Sequence, residues 1–344
     1  MGLENKVTLE DVRRLSLFRE VDDRDLALLA HGLERASFGG GDSIFGQGEP
    51  ADSAIFIVEG EAEILTRLPG GGEVVVAKVG AGAMIGETSL LEEGVRTASV
   101  RCAGPVTGFR MDRRFFRASI AQHDYAAFCI LRQIMRVMAD RLRNLNIQIV
   151  EHAASSMSRP PEPLALARRG RELEQPVSFD CRAFLNILPI FQELRDADID
   201  ELLKLTRMFT LPKGVALFEE SDDSESLFIV ARGALTMCCA DGGHLYPLEI
   251  SGPGKVCGAD DIIAARPRAR GCYTSSEVTL LEISAADFQS LNADRSWLSF
   301  RFQAAICDAQ LGSLARANRR LSHEITHTAM KEHRAIASLV AARL

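Results

Sequence analysis

"GDSIFGQGEPADSAIFIVEGEAEI" (Gly41–Ile64) and "GVALFEESDDSESLFIVARGALTM" (Gly214–Met237) are two versions of one stretch, 173 residues apart. Gly41 falls on Gly214, Phe45 on Phe218 and Gly60 on Gly233. The same offset carries "LFREVDDRDLALL" (Leu17–Leu29) onto "IFQELRDADIDELL" from Ile190, with Phe18 on Phe191. A constant offset across two separated blocks points to a duplicated domain, because chance similarity has no reason to keep register.

Each copy repeats one local pattern. A short amphipathic helix comes first, capped in copy one by Asp22 or Asp23 and carrying Leu26, Leu29 and Leu33 on its apolar side. Short alternating strands follow, such as "AIFIVEGEAEI" (Ala54–Ile64), separated by the turn residues Pro69–Gly72 and Asp241–Gly243. Short strands punctuated by Gly predict a mainly β fold with flanking helices, a small antiparallel barrel or jelly roll in each of two tandem copies, each followed by a long helix. The long helical patterns run from about Arg113 to Ala153 and from about Ser296 to Leu344. The expected division is a first domain over 1–154, a Pro-rich, charged linker over 155–180 and a second domain over 181–344.

Composition narrows the function. The chain has 344 residues, 47% hydrophobic and 25% charged, a size that suits two ordinary globular domains. A formal net charge of −7 argues against a large nucleic-acid footprint, so no nucleic-acid partner is expected. No stretch of 18 apolar residues occurs and the first residues lack an apolar signal region, so neither a membrane partner nor export is expected and the location reads as cytoplasmic. The eight cysteines form no C-x-x-C pair and sit in apolar runs, which reads as small buried hydrophobes.

The sharpest motif is "GAGAMIGETSLLEEGVRTASV" (Gly80–Val100). "GETSLL" (Gly86–Leu91) reads as a one-turn helix within the strands, its first amides lacking intrahelical partners and therefore available to an anion. Gly86 allows close approach to the backbone, Glu87 offers a carboxylate, and Arg96 supplies a fork-shaped cation suited to phosphate oxygens. Together they would hold a sugar hydroxyl and a phosphate.

The order Gly41, Phe45, Gly48, Gly60 and Gly82, followed by "IGETSLL" and "VRTASV", resembles the cyclic-nucleotide-binding domain of catabolite regulators, cAMP-dependent kinase regulatory subunits and nucleotide-gated channels. The resemblance covers most of both copies and implies two tandem jelly-roll β-barrels of the family's type, each followed by a long helix. It implies a ligand, cAMP or cGMP, with Glu87 accepting from the ribose 2′-hydroxyl, Gly86 and Thr88 lending amides, Arg96 pairing with the cyclic phosphate, and Thr97 and Ala98 completing the site. No other cofactor and no metal is implied. Thr88 stands where the family usually has an apolar residue.

Copy two departs where the chemistry lies. In "GKVCGADDIIAARPRARGCYTS" (Gly254–Ser275) Gly258 matches Gly86 and Arg268 matches Arg96, but Ala259 replaces Glu87 and Ser221 replaces Gly48. Asp260, one residue along, is rotated by about 100° on a helical turn and cannot substitute. A degenerate structural copy is the expectation; a pocket built on Gly258, Arg268 and Arg270 for a more phosphorylated ligand is the alternative.

In the long helix of copy one, Leu131, Met135, Met138, Leu142, Leu145 and Ile149 form a narrow apolar stripe. It would pack on its own domain, or join two copies as a homodimer through Leu131, Met138 and Leu145. With tandem domains and no catalytic part, the layout resembles that of the kinase regulatory subunits, which implies a non-catalytic receptor acting on a partner protein. "ARRGRELE" (Ala167–Glu174) faintly resembles a kinase-inhibitory segment but reads better as solvated linker. A transcription regulator is disfavoured, because the fifty residues after the second β region read as one helix with no DNA reader. A zinc peptidase through His323, Glu324 and His327 of "HEITHTAMKEH" is disfavoured too, since His333 lies about 600° further round and Met330 stands where a helix-breaking Gly is needed.

Overall fold

The computed structural model describes residues 6–19, 21–67, 72–156, 168–177, 182–192 and 194–341, the side chains of 155–156, 168, 184 and 326–341 excepted. Two compact units divide between Ile134 and Met135. Most of the expected linker, 157–167 and 178–180, lies outside the described residues.

The first unit opens with α1 (Leu9–Arg13) and α2 (Asp23–His31). Asp22 caps α2 by accepting from the Asp25 amide at 3.0 Å, and Leu26 and Leu29 are fully buried. The helix stops at His31, two residues short of expectation, so Leu33 is buried as the first residue of a strand. Eight strands follow: β1 (Leu33–Phe38), β2 (Ser43–Phe45), β3 (Ser53–Glu59), β4 (Glu61–Arg67), β5 (Glu73–Gly80), β6 (Met84–Ile85), β7 (Ser99–Cys102) and β8 (Val106–Asp112). They form two sheets, ordered β1-β8-β3-β6 and β2-β7-β4-β5. The β3 run from Ser53 to Ile57 is buried on both faces instead of alternating, because Phe56 on the outer face packs against Phe18 at 6.2 Å between ring centroids.

The expected single helix after β8 is two: α3 (Arg113–Ala121) and α4 (Tyr125–Ser156). His123 at φ 59° ends the first, and the Asp124 carboxylate accepts from the Ala126 amide at 2.9 Å to start the second. Burial raises the Asp124 carboxyl above its ordinary range while those amides pull it back. Leu131, Met135, Met138, Leu142 and Ile149 are buried and Leu145 half-buried within a single chain. A homodimer through that stripe would have to compete with this burial.

The second unit repeats the first strand for strand. It contains β9 (Arg168–Arg169), β10 (Gln175–Pro176), α5 (Arg182–Leu185), α6 (Asp196–Lys204), β11 (Thr206–Leu211), β12 (Val215–Phe218), β13 (Ser226–Arg232), β14 (Leu235–Asp241), β15 (His244–Ser251), β16 (Val256–Cys257), α7 (Ala259–Ile263), β17 (Gly271–Thr274), β18 (Val278–Ser284), α8 (Ala285–Ala293) and α9 (Trp297–Ala341). Its sheets run β10-β11-β18-β13-β16 and β15-β14-β17-β12-β9, the first-unit orders with one short strand added to each. Gly60 and Gly233 recur for a shared reason: both have positive φ, and a Cβ would lie 2.2 Å from Pro105 O or Glu277 O. Among the described residues each unit is a pair of sheets and not one closed hydrogen-bonded barrel.

Between the sheets lie Phe45, Ile55, Ile57, Val100 and Val106 in the first unit and Phe209, Phe218, Phe228, Val230 and Leu280 in the second. Each such side chain contributes about 1.5–3 kcal/mol of burial. The second half of α4 belongs to the second unit, where Val150 and Ala153 pack on Cys239 and Tyr246. There α9 joins it, Arg316 donating to Glu249 at 2.5 Å and Arg320 to Leu248 O at 2.8 Å.

The end of the expected linker is ordered, contrary to a solvated reading. β9 pairs with β12, β10 pairs with β11, Gly170 is buried and Leu173 packs against the core. Arg169 pairs with Asp222 at 3.3 Å and Arg171 with Glu225.

Candidate functional site

In the first unit, β6 delivers the chain to Gly86, whose φ of 74° turns it into a single 3-10 turn, Glu87–Leu90. Only glycine fits this position: a Cβ would lie 2.6 Å from Arg96 Nη1 and 3.1 Å from both the Phe45 ring and Ser53 O. Gly86, Glu87 and Thr88 are half-buried on this turn, with Thr97 exposed and Ala98 half-buried beyond Arg96. The residues of the sequence motif are therefore brought to one corner.

Arg96 is its centre, 6% exposed. Nη1 donates to Ser53 O and Ser89 Oγ, each at 2.7 Å, and Nη2 donates to Ser53 Oγ at 3.2 Å. Its guanidinium lies 3.6 Å from the Phe45 ring centre, and Asp52 is an ion-pair partner at 3.7 Å. Backbone bonds from Gly48 N to Arg96 O (2.9 Å) and from Arg96 N to Glu49 O (2.8 Å) fix the residue from both sides. Burial lowers its pKa, with Asp52, Glu49 and Glu87 opposing that and Arg110 adding to it. An arriving anion would supply the compensation that desolvation removes.

Sequence reasoning missed Phe45, Asp52, Ser53 and Ser89 as neighbours of Arg96. Three of them left a signal in the repeat: Phe45, Asp52 and Ser53 fall on Phe218, Glu225 and Ser226 at the same offset.

The second corner keeps the frame and changes the charges. Gly258 has φ 80°, and Arg268, 3% exposed, lies 4.1 Å from the Phe218 ring centre. Arg268 Nη1 donates to Gly258 O at 2.8 Å, Nη2 donates to Ser226 O, and Nε has no hydrogen-bond partner. Ala259 is buried where Glu87 stood. Asp261, matching Ser89, lies 3.8 Å from Arg268 and accepts from the Ala269 amide at 3.2 Å. Arg270 does not reach outward as a second cation: it is buried, donates to Asp260 at 3.1 Å and faces Glu249 at 3.9 Å. Burial depresses Arg270, but Asp260, Glu249 and Asp261 outweigh it and hold its pKa above the ordinary value. A cavity of about 320 Å³ beside Arg268 is lined by Phe209, Phe218 and Phe228 and edged by Arg171, Asp222 and Glu225.

Among the described residues no three His, Cys, Asp or Glu side chains gather as a metal site. His323 is exposed on α9, Glu324 pairs with Arg320 at 3.8 Å, and the His327 and His333 side chains lie outside the described residues. No described helix is long and apolar enough to cross a membrane.

The cyclic nucleotide-binding domain model matches residues 35–123 and 208–295, so the chain belongs to that family and carries the domain twice. A CRP-like cAMP-activated global transcriptional regulator of Mycobacterium tuberculosis is 32% identical over 142 residues, 41% of this chain and 62% of that protein. A cAMP-dependent protein kinase regulatory subunit of Mycosarcoma maydis is 28% identical over 172 residues, 48% of this chain and 31% of that protein. The chain thus spans less than two thirds of either relative. Among solved structures, the regulatory domain of Toxoplasma gondii PKA with cAMP aligns over 82% of this chain and 89% of its own, at 16% identity and a TM-score of 0.30.

Proposed function

We propose that the first domain is a receptor for a cyclic nucleotide, cAMP or cGMP, and that the chain acts without catalysis of its own by regulating a partner protein. One observation carries this reading: the buried Arg96 guanidinium lies against Gly86, on whose turn Glu87 offers the carboxylate a ribose hydroxyl requires. The cyclic phosphate would accept from Arg96 and from amides of Gly86 and Thr88. Thr97 and Ala98 would line the same corner, and the Thr97 hydroxyl suits either a phosphate oxygen or a purine edge. The relative named as cAMP-activated makes cAMP the first ligand to test. Binding would drive a switch if the nucleotide prefers one setting of the following helix α4 over another. The second domain would serve as a structural or partner-binding module.

Titration calorimetry of the full chain with cAMP and cGMP tests the proposal, with Arg96→Lys and Arg96→Ala as controls. Saturable binding that falls at least about tenfold in Arg96→Lys, where the fork is lost and the charge kept, is the expected result. An absence of saturable binding by the parent chain refutes it.

A further inference from the structure

We infer that the second domain carries its own anion: the Asp261 carboxylate occupies the position beside Arg268 that a ligand's cyclic phosphate would need, and closes this domain to cyclic nucleotides. The inference rests on the family reading only in taking Arg268 as the counterpart of Arg96.

The comparison is internal to the chain. In the first corner the residue two places beyond Glu87 is Ser89, a neutral hydroxyl 2.7 Å from Arg96 Nη1. In the second, the residue two places beyond Ala259 is Asp261, a buried carboxylate 3.8 Å from Arg268 Nη1. Its other oxygen takes the Ala269 amide at 3.2 Å, the amide immediately after the arginine. Cation and neighbouring amide are thus both engaged by a side chain of this protein. The Nε of Arg268 stays unpartnered although the residue is almost wholly buried. The guanidinium therefore faces a built-in counter-ion without completing the set of bonds that a ligand with several oxygens would make.

The residue before it extends the argument. Asp260 holds Arg270 at 3.1 Å and accepts from Gln310 of α9 at 2.8 Å. Gln310 also donates to Met135 O at 3.2 Å. The turn that in the first domain is left as "ETSL" is here latched to the terminal helix with no ligand required. The pair Asp260 and Asp261 thus does two jobs: one neutralises the anion corner and the other fastens α9 to it.

A second anion brought to within about 4 Å of Asp261 would meet like-charge repulsion sufficient for a preference of at least about a hundredfold against it. The test is calorimetric, on the full chain with cAMP and cGMP. The parent and Ala259→Glu should each bind one nucleotide, because restoring the ribose carboxylate leaves Asp261 in place. Ala259→Glu combined with Asp261→Ser, the first-domain pattern, should bind two, and the second event should vanish on adding Arg268→Ala. Ala259→Glu with Asp261→Asn, nearly isosteric, should behave likewise and covers the case in which the serine variant does not fold. A second site in Ala259→Glu alone overturns the inference. So does a doubly substituted chain that keeps the parent's circular dichroism and melting point yet gains no site, or Arg268-dependent binding by the parent. A parent that binds nothing counts against the first-domain reading alone, since the Arg268-dependent event in the double variants is scored separately.

Discussion

Gly86→Ala and Gly82→Ala form a matched pair that separates the backbone strain at the first corner from its effect on Arg96. Both glycines have positive φ, 74° and 85°. An alanine there costs about 1–2 kcal/mol in the folded chain and regains part of that from the smaller entropy of the unfolded one. At Gly82 nothing lies within 4 Å of the new Cβ, so strain is the whole effect. At Gly86 the Cβ lies 2.6 Å from Arg96 Nη1. Restoring an ordinary contact requires the guanidinium to retreat by roughly 1 Å. The bonds to Ser53 O and Ser89 Oγ, both 2.7 Å now, would lengthen beyond useful range. Hydrogen bonds to a charged group contribute about 1.5–3 kcal/mol each, and partial rehydration of the displaced guanidinium returns some of that, so the excess of Gly86→Ala over Gly82→Ala should be about 2 kcal/mol. Urea denaturation followed by far-ultraviolet circular dichroism measures it. Trp297, the single tryptophan, sits on α9 of the second unit, so its fluorescence reports that unit as an internal control. Nucleotide affinity should fall with Gly86→Ala and hold with Gly82→Ala. Equal losses of stability in the two variants, within about 0.5 kcal/mol, would refute the claim that Gly86 is required by its contact with Arg96.

Ser221 holds φ 72° where the first domain has Gly48, so Ser221→Gly should stabilise the protein by up to about 1 kcal/mol, read as a higher denaturation midpoint. Phe18 is fully buried against Phe56, and Phe18→Ala should cost about 3–5 kcal/mol in the same assay. Asp198, nine-tenths buried, starts α6: it accepts from Arg195 N at 3.0 Å and Arg195 Nε at 2.9 Å, and Arg301 of α9 lies at 3.9 Å. The Arg195 side chain, opposed by burial, holds its carboxyl below the usual range. Its folded pKa being depressed, its contribution is complete above the unfolded value of about 3.9 and is lost as pH falls through the folded one. Asp198→Asn should therefore cost about 1 kcal/mol at neutral pH and flatten the stability profile below about pH 4, measured by melting across an acid series. An unchanged acid limb in that variant would contradict the assignment.

The duplication, the strand-rich build of each copy and the first corner were legible because each rests on local sequence: a constant offset, punctuating glycines, and a Gly-Glu pair ahead of an Arg. What escaped notice depends on contacts distant in sequence. Nothing near His123 marks it as the break between α3 and α4, since its positive φ follows from how the chain must turn between two buried helices. The β3 run was read as alternating because the cover over its outer face comes from Phe18, nearly forty residues earlier. "RRGRELE" looked like solvated linker because its composition is that of one; its order comes from Asp222, Glu225 and the β12 edge, about fifty residues away.

The two corners also show why an arginine at this position is weak evidence of ligand binding. Arg96 and Arg268 both lie over a phenylalanine ring and both donate to the backbone oxygen of an equivalent serine, Ser53 or Ser226. Those contacts brace β2 against β3 in one domain and β12 against β13 in the other, whether or not an anion ever arrives. A domain that stopped binding its ligand would still keep the arginine, since removing it would leave a buried carbonyl unsatisfied. The discriminating positions are those where the two domains differ in charge: Glu87 against Ala259, and Ser89 against Asp261. Of these, the second is the more telling, because losing a carboxylate weakens a site whereas placing one beside its cation fills it.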